Sequence, residues 1–428
     1  MIFDRTISTN PARRYGLAAM AAVALGLGVM ATACSSGDEP GRPADDESTV
    51  TLKLNIAAVD PVAGEGSRAT EFEQEASIRE MIRTLRIIIV HDDPADASRK
   101  KVEFNQFWDL AGEAGADDKT QIAATASKEI NVYAGAGDGD SDLKDIYVIA
   151  NEHGLYSGYS RDAASTADRV LGSIDLSNAV YGSGAYLSGD DLERLEQLTF
   201  DFNHAADVKG LIPMSEHHQV TVRHPRIDEQ GNLVDRDQSV NIFLTRALVK
   251  VTVKVTNNTS RPLELTGYRL TNMSPKSYLF PFETVYSPAK ELCQSEAAVA
   301  PREITAYSIP SQTPGTFERK FSVLSPSATP ADRQDPYAMD PIAAGDSRTL
   351  PAVYMPESKA GAGFAVNLSL FGAYQVSDKT LDGLSGSLPR NTHLYIEATV
   401  SDMEVKYEVW VHPYREVELK PGFGLPKK

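Results

Sequence analysis

Between Ala247 and Thr256 the residues Ala247, Val249, Val251, Val253 and Val255 fall on one side of the chain, with Lys250 and Lys254 on the other. A period of two held over ten residues cannot line one side of a helix, whose apolar positions recur every 3.6, so this is a strand with one face in a core. Val50–Ile56 repeats the pattern, with Val50, Leu52, Leu54 and Ile56 sharing a face. Leu85-Arg86-Ile87-Ile88-Ile89-Val90, apolar but for Arg86, stops at Asp92-Asp93-Pro94, as a buried strand does. Further strands are expected at Ile130–Tyr133, Asp145–Ala150, Gln219–Arg223, Asn241–Leu244, Leu263–Leu270, Phe364–Phe371, Leu394–Val400 and Val405–Val411. Ile78, Met81, Ile82 and Leu85 stand at helical spacing, predicting a short helix between Glu71 and Leu85. Residues 157–196 mix short helical patterns with loops, and residues 111–118, 138–142 and 311–344 read as irregular connections. Many short strands with little helix make the chain all-β, two antiparallel sandwiches with a boundary near residue 235.

The first 34 residues have a different character. Arg5, Arg13 and Arg14 precede an apolar stretch from Tyr15 to Val29, which ends in Ala31-Thr32-Ala33-Cys34. This is the layout of a secretory leader, residues 1–33, closing on a cysteine whose thiol can accept a diacylglyceryl group. It resembles a bacterial lipobox, with Ala31 where Leu is more usual. Two or more acyl chains hold a protein durably on a membrane. Residues 34–48, rich in Ser, Gly, Pro and acids, cannot bury enough apolar area to fold and read as a tether. Acids directly after such a cysteine resemble a surface-export signal of lipoproteins, which places the protein outside the outer membrane. Cys34 and Cys293 are the only cysteines, so the cores must hold the fold without a disulfide framework; Cys293 reads as a small buried hydrophobe.

Lys and Arg total 42 against 59 Asp and Glu, a net charge of −17, which argues against nucleic acid as a partner. No GxSxG, HExxH, Walker or CxxC pattern occurs. Gly135, Gly137 and Gly139 have the wrong spacing for a dinucleotide loop. His217 and His218, beside Glu216 and near His224, would point to opposite faces of a strand and cannot share one ion. No catalytic residue, metal site or cofactor is expected.

Two segments read instead as strands whose partners change. Val50–Ile56 is followed by Arg68-Ala69 in a Gly/Ser loop that a protease can reach, and a cut there frees the strand. Its departure would leave unpaired backbone beside an apolar floor, a template for a new strand. At the other terminus, from about residue 414 to 425, Val417, Leu419, Pro421, Phe423 and Leu425 share one face, while Glu416, Glu418 and Lys420 share the other. Such a tail needs a groove, either in its own domain or elsewhere.

These segments stand in an order that resembles the FimA-like fimbrillins, subunits of type V pili of Bacteroides-group bacteria. Cys34 comes first, then Val50–Ile56, Arg68-Ala69, Ile82–Val90, Ile146–Asn151, Gly210–Ser215 and Leu244–Val251, followed by Val353–Glu357 and Pro389–Tyr395. The likeness spans nearly the whole chain. It implies two transthyretin-like sandwich domains, residues 49–235 and 236–428, and a subunit carried to the surface as a lipoprotein through acylated Cys34. It further implies that an Arg-specific surface protease cuts at Arg68, releasing residues 49–68 as a placeholder. A neighbour's strand around Val417–Leu425 would then fill the groove, giving a polymer of like subunits that supports adhesion. The same family pattern covers tip and anchor subunits. A monomeric, glycan-binding surface lipoprotein is the reading from a different class, for which Trp108 and Trp410 are the aromatic candidates.

Overall fold

Strands covered on one face alternate, and strands covered on both do not; this chain has both kinds. The computed structural model describes residues 49–58, 60–61, 78–93, 95–110, 125–134, 141–154, 174–202, 210–286, 304–334, 337–361, 363–370, 379–381, 386–402 and 404–415. The main strands of the first half are β1 (Thr49–Ala58), β2 (Thr84–Asp93), β3 (Asp96–Asp109), β4 (Thr125–Tyr133), β5 (Ser141–Ala150), β6 (Met214–Arg223) and β7 (Asp237–Arg246). A helix, α1 (Gly189–Glu196), lies between β5 and β6. The strands form one sheet in the order β4-β1-β7-β6-β5-β2-β3, with Tyr186–Leu187 beside β3.

The sheet is pinched in the middle. β7 pairs with β1 along Asp237–Leu244 but meets β6 only at Thr245–Ser215 and Arg246–Met214. β4-β1-β7 is therefore one layer, and β6-β5-β2-β3 the other. Between them lie Val50, Leu52, Leu54 and Ile56 of β1, Leu85, Ile87 and Ile89 of β2, Ile146 and Val148 of β5, and Ile242 and Leu244 of β7, all fully buried in one cluster. The opposite faces of β2 and β5 are buried as well: Ile88, Val90, Tyr147 and Ile149 belong to a second cluster, with Leu195 of α1 and Phe280. Covered on both sides, the middles of β2 and β5 carry the apolar runs Ile87–Val90 and Ile146–Ala150, and the one charge beside them, Arg86, is buried against Glu152 (2.7 Å).

The chain changes sheet between Arg246 and Leu248. β7 stays with the first sheet, so the change of sheet falls after β7. β8 (Leu248–Asn258) begins the second half, followed by β9 (Leu265–Met273), β10 (Gly315–Lys320), β11 (Ser347–Thr349), β12 (Val353–Pro356), β13 (Ala365–Leu370), β14 (Thr392–Ser401) and β15 (Val405–Arg415). One sheet runs β15-β14-β8-β11, with β12 also on β8, and the other β10-β9-β13 with Lys379–Thr380 at its edge. Val249, Val251, Val253 and Val255 of β8 enter the second cluster together with Tyr268, Phe317, Val366 and Ile396. Pairing is antiparallel throughout the long strands except β1 with β7 and β8 with β14. The protein is an all-β sandwich fold.

Three expectations are corrected. Within 78–85, only Ile78–Glu80 turns as a short 3-10 helix, and Thr84 already opens β2. Asn151, at φ 60, captures the chain there: its amide donates to the carbonyls of Met81 (2.8 Å) and Ile212 (2.9 Å). Its Oδ1 accepts from the backbone N–H of Arg83 (3.0 Å) and Thr84 (3.3 Å). Backbone groups held this way cannot close helical bonds. Secondly, the stretch 311–344 contains β10, whose Phe317 is buried against Tyr268. Thirdly, Ser141 and Asp142 belong to β5 and not to a loop.

Candidate functional site

β1 is the middle strand of its layer. It runs antiparallel to β4, from Thr49 opposite Tyr133 to Ala57 opposite Thr125, and parallel to β7, from Thr51 opposite Asp237 to Ala58 opposite Leu244. The sequence dictates this placement. Val50, Leu52, Leu54 and Ile56 point inward and are fully buried, whereas Thr49 and Lys53 are exposed. The outward face is tied by small polar side chains. Asn55 Nδ2 donates to Ser239 Oγ (2.9 Å) and Asn241 Oδ1 (3.0 Å), Ser127 Oγ donates to Asn55 Oδ1 (3.3 Å), and Thr51 Oγ1 donates to Asn131 Oδ1 (3.2 Å). Lys53 stands opposite Glu129 in the register.

Taking β1 away would leave β4 and β7 as two facing edges over an apolar floor. That floor is Ile130 and Val132 from β4, Ile242 and Leu244 from β7, and the opposing layer beneath. Such a groove binds an extended chain by backbone hydrogen bonds and selects it by the alternate side chains that fit inward.

Beyond Ala58, Asp60 and Pro61 pair antiparallel with Arg415 and Tyr414, the last residues of β15. Tyr414 and Arg415 therefore belong to the subunit's own β15 and not to the terminal strand expected from about residue 414. Cys34, Arg68, Ala69, Cys293, the glycines at 135, 137 and 139, and the tail residues Val417, Leu419, Pro421, Phe423 and Leu425 lie outside the described residues.

The histidines are separated as the strand geometry requires. His217 pairs with Asp145 (3.0 Å) and stacks on Tyr147, ring centroids 4.2 Å apart. Burial would raise the Asp145 carboxyl; hydrogen bonds from His217 and Lys100, with their charges, outweigh it and hold the group well below the usual range. Among the described residues, no group of three His, Cys, Asp or Glu side chains is arranged to hold a metal, and no helix is long and apolar enough to cross a membrane. Trp108 is half-buried, stacked with Phe104 (5.9 Å) and covered by Lys128 Nζ (4.8 Å), so it packs the sandwich instead of forming a flat platform. Trp410 packs beside Tyr395 (5.9 Å).

A polar cleft of about 740 Å³ lies beside α1, lined by Asp190, Glu193, Arg194, Gln197, Asp201 and Lys276 among others. It joins the two halves through Lys276–Asp201 (3.4 Å).

Sequence reasoning missed a set of buried charges. Glu80 Oε1 accepts from Lys250 Nζ (2.8 Å) and the Tyr354 hydroxyl (2.6 Å), and Arg246 Nη2 approaches Oε2 at 3.4 Å. Burial would raise the Glu80 carboxyl. The charges of Arg246 and Lys250, with the hydrogen bonds from Lys250 and Tyr354, outweigh it and hold the group below its usual value. The alternation of β8 puts Lys250 on its polar face, yet it is 2 % exposed. Arg390, also buried, pairs with Glu357 and donates to the carbonyls of Leu279 (2.7 Å) and Tyr278 (2.6 Å). The Arg246 and Lys250 pairing could have been suspected from the sequence only by knowing that Glu80 folds back over β8.

No family model matches the chain, and no curated protein matches it either. Solved structures do. A candidate cell adhesion protein from Parabacteroides distasonis aligns at 13% identity and a TM-score of 0.43, covering 87% of this chain and 99% of that one. The tip fimbrial protein Mfa3 from Porphyromonas gingivalis, with a C-terminal truncation, aligns at 11% and 0.42, covering 85% and 99%. The fimbrial anchor protein Mfa2 from the same organism aligns at 8% and 0.34, covering 86% and 100%. These three TM-scores lie below 0.5, so the functional reading rests on the chain's own residues.

Proposed function

We propose that this protein is a non-catalytic subunit of a cell-surface fimbrium, joined to like subunits by exchange of its first strand and supporting adhesion. The observation that carries this reading is the position of β1. It is the first of the described strands yet central in its layer, and four fully buried side chains fill the core from it. A single cut at Arg68 separates that strand covalently from β2 to β15.

On this reading residues 1–33 are a leader and acylated Cys34 holds the precursor on the outer membrane through the tether 34–48. An Arg-specific surface protease cuts at Arg68, residues 49–68 leave, and the apolar alternation of Val417, Leu419, Phe423 and Leu425 supplies the replacement from a neighbour. The long strands up to Arg246 pair among themselves, as do those from Leu248 on, which supports two sandwich domains. A tip or anchor position in the same fibre is the variant form of this reading. Glycan binding by an exposed aromatic platform is disfavoured, because Trp108 is taken up in packing.

Arg68→Ala should leave full-length lipoprotein on the cell and abolish high-mass polymer in unboiled gels. Sheared wild-type material should begin at Ala69. Normal fibres from the variant, or fibre subunits that still begin at acylated Cys34, would overturn the cleavage step.

A further inference from the structure

The two strands that flank β1 are held very differently. β7 is pinned at both ends by groups other than β1. At one end Thr245 and Arg246 pair with Ser215 and Met214 of β6. There Thr245 Oγ1 donates to Glu216 Oε2 (2.8 Å), and Arg246 N–H donates to Asn391 Oδ1 (3.3 Å). At the other end Gln238 Nε2 donates to Arg223 C=O (2.8 Å), and its Oε1 accepts from Arg223 N–H (3.1 Å). Arg226 Nε donates to Asp235 Oδ2 (3.1 Å) across the hairpin that joins β6 to β7.

β4 stands at the end of the sheet order, and among the described residues its backbone pairs with β1 alone. Beyond β1 it is held through the inward side chains of Ile130 and Val132 and through Lys128 over the Trp108 ring. Among the described residues, one hydrogen bond ties its backbone to the opposing layer: Tyr133 N–H donates to Glu103 Oε1 on β3. Glu103 Oε2 in turn accepts from Lys144 Nζ of β5 (2.9 Å), an ammonium with no exposure. A carboxylate that holds a backbone N–H and a buried cation makes charge-assisted bonds, stronger than neutral ones.

We propose that β4 is the movable wall over β1, β7 the fixed one, and Glu103 the latch that keeps β4 shut. Lifting β4 breaks its ladder to β1 and the latch. Freeing β7 breaks a ladder of similar length and the pins at both of its ends as well. When β4 lifts, β1 stays on β7, to which Asn55 Nδ2 donates twice, at Ser239 Oγ (2.9 Å) and Asn241 Oδ1 (3.0 Å). The latch acts at Tyr133, opposite Thr49, the end at which β1 begins. Exchange of β1 then runs in two steps: β4 lifts first, and the ladder to β7 breaks second. That use of the gate rests on the strand-exchange reading; the opening of β4 does not.

Amide hydrogen exchange shows which wall moves, because alternate residues of β1 face opposite walls. Thr51 N–H donates to Arg236 C=O (2.9 Å), so odd positions bond to β7 and even positions to β4. The sample is the purified, uncut chain, followed residue by residue. After correction for intrinsic rates, Leu52, Leu54 and Ile56 should exchange about tenfold faster than Lys53, Asn55 and Ala57, or more. Glu103→Ala should speed the even set by about a further tenfold and leave the odd set unchanged. Glu103→Gln, which keeps an acceptor for Tyr133 N–H but gives up the charge, should fall between.

Faster odd amides would make β7 the moving wall, and equal rates would mean that β1 opens together with its whole layer. A Glu103 variant that speeds both sets alike would give the residue a packing role only. Each of these overturns the inference. Strand exchange is read separately, by polymer in unboiled gels. Polymer from a chain without the alternation refutes the gate alone; alternation in a chain that forms no polymer leaves the gate standing and removes the exchange.

Discussion

Leu52→Ala tests the core of the argument, because the structure assigns neighbouring positions of β1 opposite fates. Leu52 is fully buried, opposite Ile130 on β4 and Gln238 on β7, with the second layer beneath it. Truncating a leucine in such a site removes its transfer free energy and leaves a cavity that two hydrogen-bonded neighbours cannot close, about 2–5 kcal/mol together. That corresponds to a loss of roughly 30-fold to several thousand-fold in the folding constant. Lys53→Ala, one residue on, removes an exposed side chain and should stay within about 0.5 kcal/mol. The assay is urea unfolding of the uncleaved chain followed by tryptophan fluorescence, since Trp108 packs against the same cluster. Equal midpoints for the two variants, or a larger shift for Lys53→Ala, would refute the placement of β1. If the prediction holds, four such side chains leaving together remove a share of the burial comparable with a domain's whole stability of about 5–15 kcal/mol. A trimmed subunit would then need a replacement strand to stay folded.

Lys250→Met should destabilise by about 3–5 kcal/mol in the same assay, because it strips one cation from the buried Glu80. Glu80 has its carboxyl held below the ordinary 4.5, so its contribution is complete above that pH and is lost as pH falls through the lower folded value. Glu80→Gln should accordingly flatten the acid limb of a stability–pH curve, and an unchanged limb would count against the cluster. Burial pushes the Tyr307 hydroxyl up to about 12; it donates to the Ser358 carbonyl (2.6 Å) and accepts from Leu388 N–H (2.9 Å). Its contribution is complete below about pH 10 and fades toward 12, and Tyr307→Phe should cost about 1–3 kcal/mol at neutral pH. Gly386 sits at φ +70 with the Ala360 carbonyl 2.6 Å from where a Cβ would be, so Gly386→Ala should cost more than 1 kcal/mol, roughly, in thermal unfolding.

The strands read from the sequence were those whose environment leaves a simple pattern. β1 and β8 alternate along the face that enters the core, and Ile87–Val90 of β2 and Ile146–Ala150 of β5 are buried on both. β3 carries no such pattern: of its described apolar residues only Val102 is fully buried, and half-buried Lys101, Glu103 and Asn105 with exposed Gln106 interrupt any period. The parallel pairing of β1 with β7 was also illegible, since it joins residues about 186 apart and depends on which strand fills the space between two layers. Lys250 looked like a solvent-facing lysine because nothing near it in the chain announces Glu80. Charge identity was readable; its partner was not. At the candidate site the sequence supplied the apolar face of β1 but not its central position, and that position is what makes its loss consequential.

The short pairing of Asp60 and Pro61 with Arg415 and Tyr414 ties the segment just after β1 to the last residues of β15. Asp60 and Pro61 lie between β1 and Arg68, so a fragment released by a cut there carries them away with it. One scission would thus open a vacancy at one place and unclasp the root of the tail at another. On the strand-exchange reading, a subunit could not become a receiver without also being readied as a giver.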